Sequence, residues 1–214
     1  MMTLREIITK TTLVFLLLPL MLNYAYALQS LKEDNEHIRR WNKFALDSLK
    51  LHKKLTAGKD LTVKTSIGGY ADDKDFYKEE SYFEHGRLVS QVQWEKENPT
   101  RLHSIEVYVR DKKGRVIRDY IAAYLPHYHN APTQTLISFH HYNGDLHAFR
   151  SFDASGYRVI ERCTGKNSQG QEVNILLDED ELDENPDNVM NGSDYKQCFS
   201  GLKQTRLGKY LVPQ

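Results

Sequence analysis

The stretch that decides the fold is residues 136–173, LISFHHYNGDLHAFRSFDASGYRVIERCTGKNSQGQEV. A polar lead-in, a glycine and an apolar return recur three times in it: Asn143-Gly144-Asp145-Leu146, Ser155-Gly156-Tyr157-Arg158-Val159 and Gln169-Gly170-Gln171-Glu172-Val173. Glycine alone takes positive φ without steric cost, so each glycine marks a hairpin tip. Upstream, His85-Gly86-Arg87-Leu88 and Lys113-Gly114-Arg115-Val116 repeat the signal, and apolar residues alternate at Leu61, Val63, Ile67 and at Ile105, Val107, Val109. Period two is the strand signature, and consecutive hairpins put sequence neighbours side by side in one sheet. The spacing predicts a curved antiparallel meander.

Ahead of the strands the period changes. Leu31, Ile38, Trp41, Phe44, Ala45, Leu51 and Leu55 recur at steps of three, four or seven, interrupted only by Ser48, which predicts an amphipathic helix over residues 35–55 closed by Gly58. The fold class expected is α+β, one helix laid on the meander. The cadence of strand, glycine turn and strand resembles in outline the single-layer hairpin repeats of MORN-type and YD-type proteins. The turn glycines are unevenly spaced, so no function comes with that resemblance. A leading helix on a curved meander is equally compatible with cystatin-like and lipid-carrier-like folds.

Residues 1–27 have the layout of a secretory signal: Arg5 and Lys10, an apolar run over 13–22, and Ala25-Tyr26-Ala27 as a small-x-small cleavage site. The run is too short for a membrane-spanning helix, which needs about 20 residues. The expected organisation is a signal over 1–27 and one α+β domain over 28–214, delivered to the periplasm or secreted without a transmembrane anchor. In such an oxidising compartment Cys163 and Cys198, the 2 cysteines of the chain, are expected to be paired.

The chain has 214 residues, with 29 Lys+Arg against 29 Asp+Glu, and this balance argues against a general nucleic-acid binder. The neutrality hides an uneven distribution. Seven acids fall between Asp178 and Asp187, in a segment (178–188) read as a solvated acidic loop; without it and the signal the body carries a net charge of +6. Either that loop folds over a basic face, or the two surfaces address different partners.

Three constellations are candidates for chemistry. The first is the hairpin around Asn143-Gly144. Taken as a two-residue type I′ turn, it sets His140 opposite His147 and Tyr142 opposite Asp145, with the imidazoles and the Asp145 carboxylate within reach of one zinc or copper ion, and His127 or His129 as a further ligand. The second is the acidic segment. Counted from Asp183, the oxygen donors Asn185, Asp187, the Val189 carbonyl, Asn191 and Asp194 fall at the ligand positions of a twelve-residue calcium loop, with Asn188 at the turn. Pro186 opposes that backbone, and no flanking helices are evident.

The third is the aromatic set Tyr70, Phe76, Tyr77, Tyr82, Phe83, Tyr108, Tyr120, Tyr124, Tyr128, Tyr142 and Tyr157, suited either to cross-strand pairing or to presentation of one face to a protein, glycan or lipid. Catalysis finds little support. There is no G-x-S-x-G elbow, phosphate cradle or H-E-x-x-H, and the adjacent Glu79 and Glu80 point to opposite faces of a strand. The sequence reading is an exported, non-catalytic binding protein, with a metal-binding or calcium-stabilised domain as the alternative.

Overall fold

The computed structural model describes residues 35–183, 187–202 and 211–214; the signal segment lies outside them. Contacts divide the chain after Arg39, and the unit Arg40–Gln214 holds all the elements below except the first turn of the helix. Helix α1 (Asn35–Thr56) precedes nine strands: β1 (Thr62–Gly68), β2 (Tyr77–Glu84), β3 (Arg87–Glu95), β4 (Leu102–Arg110), β5 (Val116–Ala123), β6 (Gln134–Asn143), β7 (Leu146–Phe152), β8 (Arg158–Lys166) and β9 (Glu172–Leu177). Short helices α2 (Glu179–Asp183), α3 (Asp187–Met190) and α4 (Ser193–Phe199) follow. The strands form one sheet in sequence order, every pair antiparallel, so the protein is an α+β meander with its helix packed on the sheet.

The helix forms where the apolar stripe predicts. Phe44, Ala45 and Leu51 are buried against Val92, Ile105, Val107, Tyr120, Ala122 and Ile137. Burial of a Phe or Leu side chain contributes about 1.5–3 kcal/mol, enough to hold a helix whose propensity alone would not. Ser48, the interruption of the stripe, is fully buried; its hydroxyl donates to the Phe44 carbonyl at 3.0 Å, so no polar group is left unsatisfied. His52 joins helix to sheet through Nδ1, 2.8 Å from the Ser90 hydroxyl. Gly58 closes the helix region at φ 68°.

The core on this face is filled, with Val92, Ile105, Val107 and Ala122 at 0% exposure. A second cluster sits farther along the same face, where Phe199 and Leu202 meet Leu146, Ala148 and Val173. The Cys163–Cys198 disulfide, with Cα atoms 6.1 Å apart, ties α4 to β8 there, as the sequence led one to expect.

Three sequence expectations are corrected. The acidic segment is not a plain loop: it contributes α2 and α3, whose first turns carry Glu179, Asp180, Glu181 and Asp187, where acidic side chains complement the helix dipole. The β6–β7 register is shifted by two residues, with Asn143 opposite Leu146, Tyr142 opposite His147 and His140 opposite Phe149. Gly144 takes φ 59° while neither Asn143 nor Asp145 has positive φ, so the central pair is Gly144-Asp145 with glycine first, the requirement of a II′ rather than a I′ turn. The aromatic residues also divide between faces. Tyr82 and Tyr120 join the core under the helix, whereas Tyr108 and Tyr142 alternate with core residues and lie on the opposite face.

Candidate functional site

Period two that places Ile105, Val107, Tyr120 and Ile137 under the helix sends Glu106, Tyr108, Asp119, Ser138, His140 and Tyr142 to the other side, joined there by His147 and Phe149. This face holds the hairpin candidate in altered form. A shift of two residues preserves the face, so His140 and His147 still meet, now diagonally: His140 Nδ1 lies 2.9 Å from His147 Nε2. Asp145 is exposed in the turn, and the carboxylate that reaches the pair is Asp119, whose Oδ2 is 2.5 Å from His140 Nε2.

The rings form a column. Tyr142 stacks on His147 at 4.5 Å and 3°, His147 on His140 at 5.2 Å and 18°, and the Arg115 guanidinium lies 4.7 Å from the centre of the Tyr142 ring. The Tyr142 hydroxyl donates to the Val116 carbonyl at 3.1 Å, which fixes the column to β5. The Ser138 hydroxyl is 2.8 Å from that of Ser151.

Asp119 accepts from His140 Nε2–H and so fixes the tautomer that turns Nδ1 toward His147. Two protonation states satisfy every contact: neutral His147 donating from Nε2 to neutral His140, or protonated His140 donating from Nδ1 to neutral His147. Burial, then His140 and Arg162, hold the His147 pKa below the ordinary histidine value. Next along the face, burial raises Glu106 above the usual carboxylate range. Asp119 and Glu79 add to the rise, while the Tyr108 hydrogen bond opposes it.

The other sequence candidates are dispersed. The loop carrying His127 and His129 joins β5 to β6 at the end of β6 remote from His140. His127 packs on Phe76 at 5.3 Å, and His129 places Nδ1 3.2 Å from Glu95 Oε1. Among the described residues no group of three or more His, Cys, Asp and Glu is gathered to hold a metal ion. Of the calcium candidates, Asn185 and the side chain of Asp183 lie outside the described residues. Asp187 and Asn188 are in α3, and Asp194 accepts from Asn167 Nδ2 at 3.0 Å.

An aromatic cluster around buried His103 and Phe76 escaped the sequence reading. His103, 2% exposed, places Nε2 2.5 Å from the Tyr70 hydroxyl and stacks on Tyr77, with Phe76 edge-on at 5.0 Å. The alternation at Ile105 and Val107 extends back to His103, which is the one signal that it points inward.

His52, His103 and His147 are all held below the ordinary value of 6.5, in each case chiefly by burial. The unfolded chain then binds more protons than the folded one below that value, so their contribution to stability is present above pH 6.5 and lost as pH falls through their folded pKa values. Glu106 has the opposite sign, because its raised pKa makes the folded state lose stability as pH rises from 4.5. The melting temperature is expected to be level above pH 7 and to fall on acidification below 6.5. Glu106→Gln should raise it at pH 7 and steepen the acid limb. A melting temperature independent of pH between 5 and 7 in both proteins would contradict these assignments.

Compared with known protein families, characterised proteins and solved structures, the chain matches none. Among the described residues no helix is long and apolar enough to cross a membrane.

Proposed function

We propose that the protein is an exported, non-catalytic binding protein that takes a protein partner on the sheet face opposite α1. The observation that carries this reading is the contrast between the two faces. Under the helix Val92, Ile105, Val107 and Ala122 are at 0% exposure, whereas the opposite face sets half-buried Tyr108, Tyr142, His147 and Phe149 among Glu106, Asp119 and His140. Aromatic rings with polar tips supply contact area at little entropy cost, and satisfied polar groups between them set register. The partner is laid across β4–β7.

A photo-crosslinking residue at Tyr142 or Phe149, irradiated in living cells, should give a discrete adduct with an envelope protein, and one at the helix position Leu46, 57% exposed, should not. Equal labelling at all three positions, or none at Tyr142 and Phe149, contradicts the proposal.

One observation favours a second reading, a two-histidine metal site. Zinc or copper would enter between His140 Nδ1 and His147 Nε2, with Asp119 on the far nitrogen of His140 in the place where a carboxylate commonly orients a metal-bound imidazole. On this reading the purified protein carries stoichiometric metal that is lost in the His140→Ala/His147→Ala pair. No metal in the parent, or unchanged occupancy in the pair, removes it.

A further inference from the structure

We propose that the free edge of β1 pairs with the same edge of a second copy of this chain, about a twofold axis through Thr65. Among the described residues β1 is the first strand of the sheet and pairs on one side only, with β2. Its residues 62–67 are exposed on both faces, Val63 at 47% and Ile67 at 52%. Such an edge presents a row of backbone donors and acceptors to any strand that approaches, and proteins usually guard it with proline, a bulge or an outward lysine.

β1 lacks these guards. No proline occurs in TVKTSIG, and its register with β2 runs unbroken from Thr62 to Gly68. The ammonium of Lys64, its lone charge, sits 5.0 Å from the centre of the Phe83 ring on β2, drawn toward the neighbouring strand. The other edge differs. β9 runs directly into exposed Asp178, Glu179, Asp180 and Glu181, a charge run that two copies would repel.

The β1 sequence is complementary to itself. Two antiparallel copies centred on Thr65 place Val63 opposite Ile67 twice, Lys64 opposite Ser66 twice, Thr62 opposite Gly68 twice, and Thr65 opposite Thr65 on the axis. All seven residues pair, and no charge lies directly opposite a like charge. Period two brings Val63, Thr65 and Ile67 of both copies to one face as a continuous β-branched row, side chains that favour a pleated surface. The operation is isologous and closes at two copies, so it forms a dimer and not a fibre. An edge of seven residues is small for an interface, so the association is reversible and concentration-dependent.

Sedimentation of the purified protein across a concentration series should show the mass doubling. Thr65→Cys should crosslink to itself when diamide takes two electrons and two protons from the facing thiols, because directly opposed Cα atoms lie about 4.5–5.5 Å apart, within disulfide reach. Val63→Cys, whose opposite is Ile67, should crosslink far more slowly.

Val63→Glu/Ile67→Glu puts like charges opposite each other twice and should sediment as monomer. Val63→Lys/Ile67→Glu puts opposite charges there and should remain dimeric. All three positions changed are exposed, and matching circular dichroism melts verify that the variants fold. A parent that stays monomeric at every concentration overturns the proposal, as it would if the edge takes an extended peptide instead. So does equal crosslinking of the two cysteine variants, or a dimer that survives Val63→Glu/Ile67→Glu.

Discussion

Replacing Glu161 with alanine is expected to cost about 3–5 kcal/mol of folding stability, the usual range for leaving one member of a buried ion pair alone. Glu161 is 0% exposed and Arg150 is 2% exposed. Glu161 Oε1 accepts from Arg150 Nε and, at 3.0 Å, from the Arg158 guanidinium. Its Oε2 accepts from the Tyr195 hydroxyl at 2.6 Å, and Arg150 donates to that same hydroxyl at 3.2 Å. The network therefore joins β7, β8 and α4 through one carboxylate.

Alanine leaves the Arg150 guanidinium in the interior without its carboxylate, held among the described residues by the Tyr195 hydroxyl and the face of the Phe199 ring. Total stabilities are about 5–15 kcal/mol, so this one change should leave the protein near the edge of folding. Arg150→Met/Glu161→Leu removes both charges and should recover most of the loss. Urea denaturation of the parent and the two variants measures this directly. A Glu161→Ala cost below about 1 kcal/mol, the level of an exposed pair, would show that the network is not the buried anchor described.

The second large effect is expected from the crosslink. Cys163 and Cys198 are 35 residues apart in sequence, and the chain-entropy relation gives about 4 kcal/mol for closing a loop of that size. Cys163→Ser/Cys198→Ser should lose about 3–4 kcal/mol on that relation, and the loss should be local before it is global. Phe199 and Leu202 belong to the second cluster, away from the residues under α1, so release of α4 opens that cluster first. Hydrogen exchange should accelerate in α4 and the end of β8 while amides of β3–β5 keep their protection. Uniform acceleration across the sheet would mean the two clusters unfold as one.

The fold was largely legible because its determinants are local. The helix stripe needed only its own residues, and Ser48 is tolerated because its hydroxyl bonds within the helix. All five hairpin glycines, Gly86, Gly114, Gly144, Gly156 and Gly170, take positive φ at strand connections. The connections over 69–76, 96–101 and 124–133 carry turn residues such as Gly69, Pro99 and Pro126 but not the polar, glycine, apolar cadence that fixes a hairpin, and residues whose neighbours depend on them were misassigned. Asp119 reaches His140 only because β5 and β6 align Asp119 with Ser138 across the longest of these loops. Local turn chemistry instead pointed to Asp145, six residues beyond Phe139 in sequence but out in the turn.

The hairpin register failed for a narrower reason. Asn-Gly suits a I′ turn, but at His85-Gly86 both residues have positive φ, whereas at Asn143-Gly144 only the glycine does. Because the resulting shift is two residues and the side-chain period is also two, the His140–His147 meeting survived the error. His103 was missed because a histidine in an alternating apolar pattern carries no sign of which partners will satisfy it.

The functional reading stands on delivery of the chain to an oxidising compartment, since the crosslink, the partner class and the removal of residues 1–27 all presuppose it. Intact mass and thiol titration of the protein recovered from fractionated cells test that most directly. The account predicts a chain beginning at Leu28, found outside the cytoplasm, with no titratable thiol. A full chain of 214 residues in the cytosolic fraction with both cysteines reduced would contradict it.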